Sequence, residues 1–445
     1  MRVKLAFLII LLLTAFVPIA PPADSAPAYL PPEADAEIAR AWFNLQLELI
    51  RTTPGFSPPV AARALGYTGV TLYETAVPGM DGYHSLVGLL NELDTVPAPD
   101  PEQTYHYPAA VNSALASITR LMYSSTRREN LALIDGLEQF YAAFYRAEIP
   151  AEVYDRSFAY GRSVADAIYN WSLGDGGDQG FALNYPRDYV PPEDQGLWVT
   201  TAPYYTRALL PTWGNNRLFA LPTLDTCPAA PPLPYSTEIG SPFYRDAREV
   251  YDIVRYITPE QEGIALFWAD DPRRTATPIG HSVSILNQVI DLENPSLAVA
   301  AEAYARLTLA GADAFIHAWH TKYQYNVMRP ITYIQAHIDE RWNIPAITDP
   351  IVTPPFPEYP SGHSIQSAAA MTVLTAIFGE NYSFTDITHV QRGFLPRSYH
   401  SFWEAAEEAA LSRLYGGIHY RFSIEQGLIQ GACIGQYMAD LPLQN

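Results

Sequence analysis

The sequence predicts an all-α fold, built as two helix-bundle halves joined by a long irregular segment. Apolar residues recur at three- and four-residue steps along most of the chain, the spacing that lines one face of a helix. No alternation of apolar and polar residues, the mark of a half-buried strand, interrupts them before residue 174. Residues 174–235 then lose periodicity and fill with Gly, Pro, Asn, Asp and aromatic residues, which sets the division.

The first helix is expected within residues 31–54, where Ile38, Trp42, Leu45 and Leu49 share a face. Ser57-Pro58-Pro59 opens the second, with Ser as N-cap and Pro in the first turn, where a missing N–H costs nothing. It runs to about Ala76, and its small residues predict close packing on neighbouring helices. A short helix near Ser85 to Leu93 sits in the loop that follows. Helices are then expected over 108–122, 128–145 and 150–173. The segment 174–235 is too long for an ordinary connection, which predicts a wrapping or functional loop. Within it Leu197 to Thr201 suggests a short strand pair, and Cys227 to Tyr235 an extended proline-rich connector. Seven helices follow: 241–257, 259–268, 279–292, 296–324, 362–378, 401–415 and 423–438. The domain reading is therefore a leader at 1–26, an N-terminal helical half at 27–235 and a C-terminal helical half at 236–445.

Composition bounds the function. The chain has 445 residues, 48% of them hydrophobic, enough for a large core. Its net charge of −20 argues against nucleic acid and anionic membrane surfaces, which both want a basic face. Arg2 and Lys4 precede an apolar run from Leu5 to Val17, and small residues from Ala23 to Ala26 offer a cleavage site. That pattern is a leader peptide, so an exported protein, periplasmic or extracellular, is expected. No later stretch approaches the roughly 20 apolar residues of a membrane span. Export would permit a disulfide between Cys227 and Cys433, but Cys433 falls in an apolar C-terminal helix and reads as a buried thiol.

The chemistry concentrates between Lys322 and His419. Lys322 and Arg329 stand seven residues apart, two turns of a helix, so both side chains could share a face. Ser361 precedes a helical run as its N-cap, which leaves the amides of Gly362 and His363 unpaired in the first turn. Such a terminus attracts anions, and Gly362 removes a side chain where an anion must come close. Arg413 adds a planar fork suited to an oxyanion, and Gly416-Gly417 turn the chain so that His419 can face back. In a chain with 27 Lys plus Arg against 47 Asp plus Glu, this cationic cluster predicts an oxyanion pocket with two imidazoles at hand.

These pieces, Lys-x₆-Arg-Pro, Pro-Ser-Gly-His and Ser-Arg-x₅-His, resemble the signature of the superfamily of type 2 phosphatidic acid phosphatases and vanadium-dependent haloperoxidases. Pro211 to Gly214, Phe267 to Asp271 and Gly416 to Phe422 resemble its soluble haloperoxidase branch. The resemblance implies that Lys322, Arg329, Ser361, Gly362 and Arg413 hold the oxygens of vanadate or phosphate. His419 would be axial to vanadium, or the nucleophile of a phosphatase, and His363 the acid–base group. Asp271, with Asp270 a close competitor, would orient Arg413. Trp319 and Phe356 resemble an aromatic pair lining the halide pocket. The position four beyond His419 is Ser423, where the phosphatase pattern has Asp; serine offers a hydrogen bond but no charge. The implied activity is halide oxidation by hydrogen peroxide, with a small organic acceptor and vanadate as cofactor. The alternatives are an acid phosphatase with a phosphohistidine intermediate, and a non-catalytic oxyanion-binding protein, which would not need both histidines. Dimers occur in the superfamily, so a homo-oligomer is compatible with the resemblance.

Overall fold

The computed structural model describes residues 36–342 and 351–444, so the leader expected at 1–26 lies outside the described residues. The fold is all-α. Five helices form the N-terminal bundle: α1 (Glu37–Thr52), α2 (Pro58–Ala76), α3 (Tyr107–Met122), α4 (Arg128–Glu148) and α5 (Ala151–Ser172). The C-terminal bundle contains α6 (Pro242–Arg255), α7 (Pro259–Phe267), α8 (Thr277–Glu293), α9 (Leu297–Tyr325), α10 (Pro330–His337), α11 (Gly362–Phe378), α12 (Phe402–Tyr415) and α13 (Arg421–Ala439).

The 29-residue α9 is the axle. It is apolar nearly all round, as a helix packed on every side must be, and α2, α11 and α13 all lie against it. The small residues of α2 do what their spacing predicts. A Cβ at Gly69 would fall 2.1 Å from the Thr308 hydroxyl on α9, so the two backbones approach as only glycine allows. A stripe of Gly427, Gly431 and Gly435 on α13 does the same against α11, the helix that begins in the Ser-Gly-His motif.

Buried carboxylates fasten the segment 174–235 to the helices. Asp175 accepts from Arg63 at 2.6 Å and from the Tyr67 hydroxyl at 2.7 Å, both on α2. Asp313, midway along α9, accepts the backbone amides of Phe219, Ala220 and Leu221 at 2.6, 3.0 and 3.0 Å.

Several local expectations give way. Residues 85–93 form turns rather than a helix, because the Glu74 carboxylate takes the Leu86 amide at 2.6 Å and the Ser85 hydroxyl at 2.8 Å. Leu197 pairs not with a neighbouring strand but with Val327, just beyond α9. Trp198 donates to the Asn326 carbonyl at 2.6 Å and Met328 to that of Gly196 at 3.0 Å. A small antiparallel hairpin, β1 (Phe384–Asp386) with β2 (Arg397–Tyr399), and α10 were not anticipated. Cys433 is neither free nor buried: its position on α13 is exposed, and it forms a disulfide with Cys227. That bond ties the proline-rich connector to the last helix. Among the described residues no helix is long and apolar enough to cross a membrane.

Candidate functional site

Four segments of the C-terminal bundle deliver the predicted residues to one place. Lys322 lies in the last turn of α9. The helix stops three residues later, because Asn326 adopts a left-handed conformation that ends it (φ 48°). Arg329 therefore does not share a helical face with Lys322. It is the N-cap residue of α10, fixed there by Pro330. Ser361 caps α11, its hydroxyl accepting the Ser364 amide at 3.3 Å. Arg413 lies in the last turn of α12, and Gly417, at φ 71°, turns the chain so that His419 comes back to the same spot.

The two arginines and His419 are almost fully buried. Arg329 donates from Nε to the Phe356 carbonyl at 3.0 Å and from Nη1 to that of Ile418 at 2.8 Å. The same Nη1 is 3.2 Å from His419 Nε2. Arg413 donates from Nη1 to the Trp268 carbonyl at 2.9 Å. Burial lowers both guanidinium pKa values to about 10.

Lys322 is placed differently from expectation. Its ammonium donates to the carbonyls of Pro357, Glu358 and Pro360 at 3.0, 2.9 and 2.6 Å, because the loop before α11 curls around it. All three donors are thus engaged by backbone, and burial, then Arg329, drives its pKa well below the ordinary value. Asp271 also differs. No hydrogen bond joins it to Arg413, whose guanidinium is held by the Trp268 carbonyl instead; the carboxylate acts on it through space. Burial pushes Asp271 up to about 6, against the pull of Arg413.

Asp270 is engaged elsewhere. It is buried, adopts a left-handed backbone (φ 47°), and accepts from His281 Nδ1 at 2.7 Å and His389 Nε2 at 3.0 Å. His281 Nε2 in turn meets Asp386 at 2.7 Å. The ligating atoms of Asp270, His281 and His389 lie within 4.8 Å of one another. Even so, both nitrogens of His281 and both oxygens of Asp270 are already in hydrogen bonds, which makes this a charge cluster rather than an open metal site. It backs His363, whose ring hydrogen-bonds the Ala269 backbone.

Sequence reading missed Glu358. It is fully buried, and Oε1 stands 2.6 Å from His419 Nδ1 and 3.1 Å from the Tyr420 amide. Burial raises its pKa to about 7, against the pull of Arg329 and Lys322. One signal could have found it: Glu358 is the only charged residue in Pro354-Pro-Phe-Pro-Glu-Tyr-Pro360, a run that otherwise offers nothing to hydrate a charge.

A cavity of about 460 Å³ opens onto this cluster. Its floor includes Gly362, His363, Arg413 and His419, and Phe356 forms part of one side. Trp319 lies behind Phe356, ring centroids 4.9 Å apart, with its indole N–H on the Leu209 carbonyl at 3.1 Å, so of the expected aromatic pair only Phe356 faces the cavity. The Phe356 ring also lies 5.1 Å from the Lys322 ammonium and 4.9 Å from the Arg329 guanidinium. The outer walls come from residues 55–58 and from the wrapping segment, including Tyr185 and Tyr204.

The residues present fit an oxyanion such as vanadate. Arg329 Nη2, Arg413 Nε and His363 Nε2 are buried without a protein partner. Two of these atoms belong to guanidinium groups, which can only donate, so an acceptor is what they lack. Gly362 lines the cavity, and a Cβ there would meet only Lys322 Cε and Trp319 Cζ3 beyond its own helix, both at 3.9 Å, so the position is open.

Comparisons with known proteins show what the chain as a whole is similar to. The model of the VCPO second helical-bundle domain matches residues 302–444, which hold the Lys-x₆-Arg-Pro, Pro-Ser-Gly-His and Ser-Arg-x₅-His motifs. Vanadium chloroperoxidase of Curvularia inaequalis is 24% identical over 520 residues, covering 88% of this chain and 80% of that protein. Among solved structures, the first bacterial vanadium-dependent iodoperoxidase is 36% identical with a TM-score of 0.84, covering 94% of this chain and 99% of that one. A holo-type bacterial vanadium-dependent chloroperoxidase, 14% identical, covers 88% of this chain and 93% of that one at a TM-score of 0.67, a likeness of fold.

Proposed function

The chain belongs to the vanadium-dependent haloperoxidase family, and on that premise we propose an exported enzyme that uses hydrogen peroxide to oxidise a halide to hypohalous acid, which then halogenates a small organic acceptor. The observation that carries the reading is the pair of buried guanidinium donors without acceptors, Arg413 at the cavity floor and Arg329 behind it, beside an imidazole held neutral. Arg329, Arg413 and the first-turn amides of α11 would hold vanadate, and His419 Nε2 would offer it a ring nitrogen. Vanadate, when bound, supplies a Lewis-acidic centre for activating peroxide.

The chain's own groups have distinct tasks. Burial, then Arg413, keeps His363 well below its ordinary pKa, so its free Nε2 can accept a proton from an incoming peroxide and return it to a leaving oxygen. Arg329 and Arg413 offset the negative charge collected there. Lys322 holds in place, through three backbone carbonyls, the loop that carries Glu358. Phe356 excludes water from one side. Likeness to an iodoperoxidase supports iodide as the first halide to test. The leader and the pairing of Cys227 with Cys433 support export, since disulfides persist in oxidising compartments.

The test is to load the purified protein with orthovanadate and follow peroxide-dependent halogenation with iodide, bromide and chloride, beside phosphatase assays of the vanadate-free form. Iodination that requires orthovanadate is expected. Phosphatase activity without halogenation by any halide would overturn the proposal.

A further inference from the structure

We infer that Glu358 is the positioning residue of the site: its hydrogen bond fixes His419 in the Nδ1–H tautomer and aims the Nε2 lone pair at the anion. The inference rests on the vanadate reading above. Arg329 Nη1, 3.2 Å from Nε2, can only donate, so Nε2 must accept. In a neutral imidazole the single proton is then on Nδ1, which donates to Glu358 Oε1 at 2.6 Å. Both ends of the ring are therefore specified, and the nitrogen left basic is the one on the anion side.

Glu358 is itself held at every polar group of its backbone. Its amide donates to the Val327 carbonyl at 2.8 Å, and its own carbonyl accepts from Lys322 at 2.9 Å. Lys322 thereby acts on His419 indirectly, by fixing the loop that carries the carboxylate. A second group approaches Nδ1 from α13: the Ser423 hydroxyl, at 3.4 Å. The ring thus has two places from which a carboxylate could reach Nδ1, and this chain supplies it from the proline-rich loop while α13 offers only the weaker hydroxyl. A carboxylate is the stronger acceptor and the better anchor for a ligating imidazole.

Three measurements test this without turnover. Nitrogen NMR of His419 in the vanadate-free wild type should report a proton on Nδ1; a proton on Nε2 would overturn the inference with no variant needed. Glu358→Gln keeps the volume but removes the charge, and its amide can present either an acceptor or a donor to Nδ1. Its orthovanadate affinity, read by equilibrium dialysis, should fall ~10- to 100-fold, the usual effect of losing a group that orients a ligand, and its tautomer signal should become mixed. Adding Ser423→Asp to Glu358→Gln should restore affinity to within several-fold, a rescue that a merely structural role for Glu358 does not predict. Wild-type affinity in Glu358→Gln with the Nδ1 proton unchanged would overturn the inference. Wild-type protein that binds orthovanadate yet oxidises no halide would sink the proposed activity and leave the role of Glu358 standing.

Discussion

Two buried histidines, His419 and His281, make nearly the same bond, yet one is neutral and the other a cation. Each is 2% exposed, and each has Nδ1 within 2.7 Å of a buried carboxylate, Glu358 for one and Asp270 for the other. They differ at the second nitrogen. His281 Nε2 meets another carboxylate, Asp386, so the ring sits between two anions, which outweigh burial and raise its pKa to about 10. His419 Nε2 meets a guanidinium. Burial, then Arg329, Lys322 and Arg413, holds it well below the ordinary value. A protonated ring has no lone pair to give, whereas a neutral one keeps it. A carboxylate at Nδ1 therefore does not decide what a buried histidine is for. What faces the other nitrogen does: one ring is a structural cation and the other an available ligand.

The sharpest way to break this contrast is His281→Ala, which leaves Asp270 and Asp386 buried without their bridging cation. Such uncompensated charge costs about 3–5 kcal/mol, readable by denaturant unfolding, and a loss below about 1 kcal/mol would mean the ring is not a charged bridge. The wild type should show the same charge as a pH dependence. The folded pKa of His281 lies above its ordinary 6.5, so its stabilisation is complete below that value and is lost as pH rises through about 10. The slope should approach 1.4 kcal/mol per pH unit at most, from the proton-linkage relation, and vanish in His281→Ala.

On the other side of the comparison, His419→Ala should weaken orthovanadate binding by at least roughly a hundredfold, about 2.7 kcal/mol; unchanged affinity would remove His419 from the site. Arg413→Lys keeps the charge but loses the fork, and a loss of roughly tenfold is expected in the same measurement. Asp271→Asn should matter least. It reaches Arg413 only through space from a partly exposed position, so a change below about fivefold is expected.

The sequence revealed most where chemistry is written as local spacing. The three motifs led to Arg329, His363, Arg413 and His419, all of which border or back one cavity floor. The helices were legible because their apolar faces repeat over many residues. Three-residue strands such as Phe384–Asp386 are too short for alternation to register. Glu358 and the Asp270–His281–Asp386–His389 cluster escaped for another reason. Their partners stand 61 to 119 residues apart, apart from Asp270 and His281 at 11, and no spacing rule spans loops whose path is unknown. Lys322 shows a third limit. Its position was legible, but its partners are backbone carbonyls, which every residue has and no sequence advertises.

The anchoring of residues 174–235 has a consequence for how this enzyme could diversify. That segment is pinned to the helices by Asp175 and Asp313, and it supplies much of the cavity mouth, yet it contributes none of the groups that would grip the anion. Reactivity and selectivity are thus held on separate stretches of chain. If an organic acceptor enters through that mouth, exchanging Tyr185, Thr201 or Tyr204 would alter which acceptor fits while the floor beneath them keeps its donors.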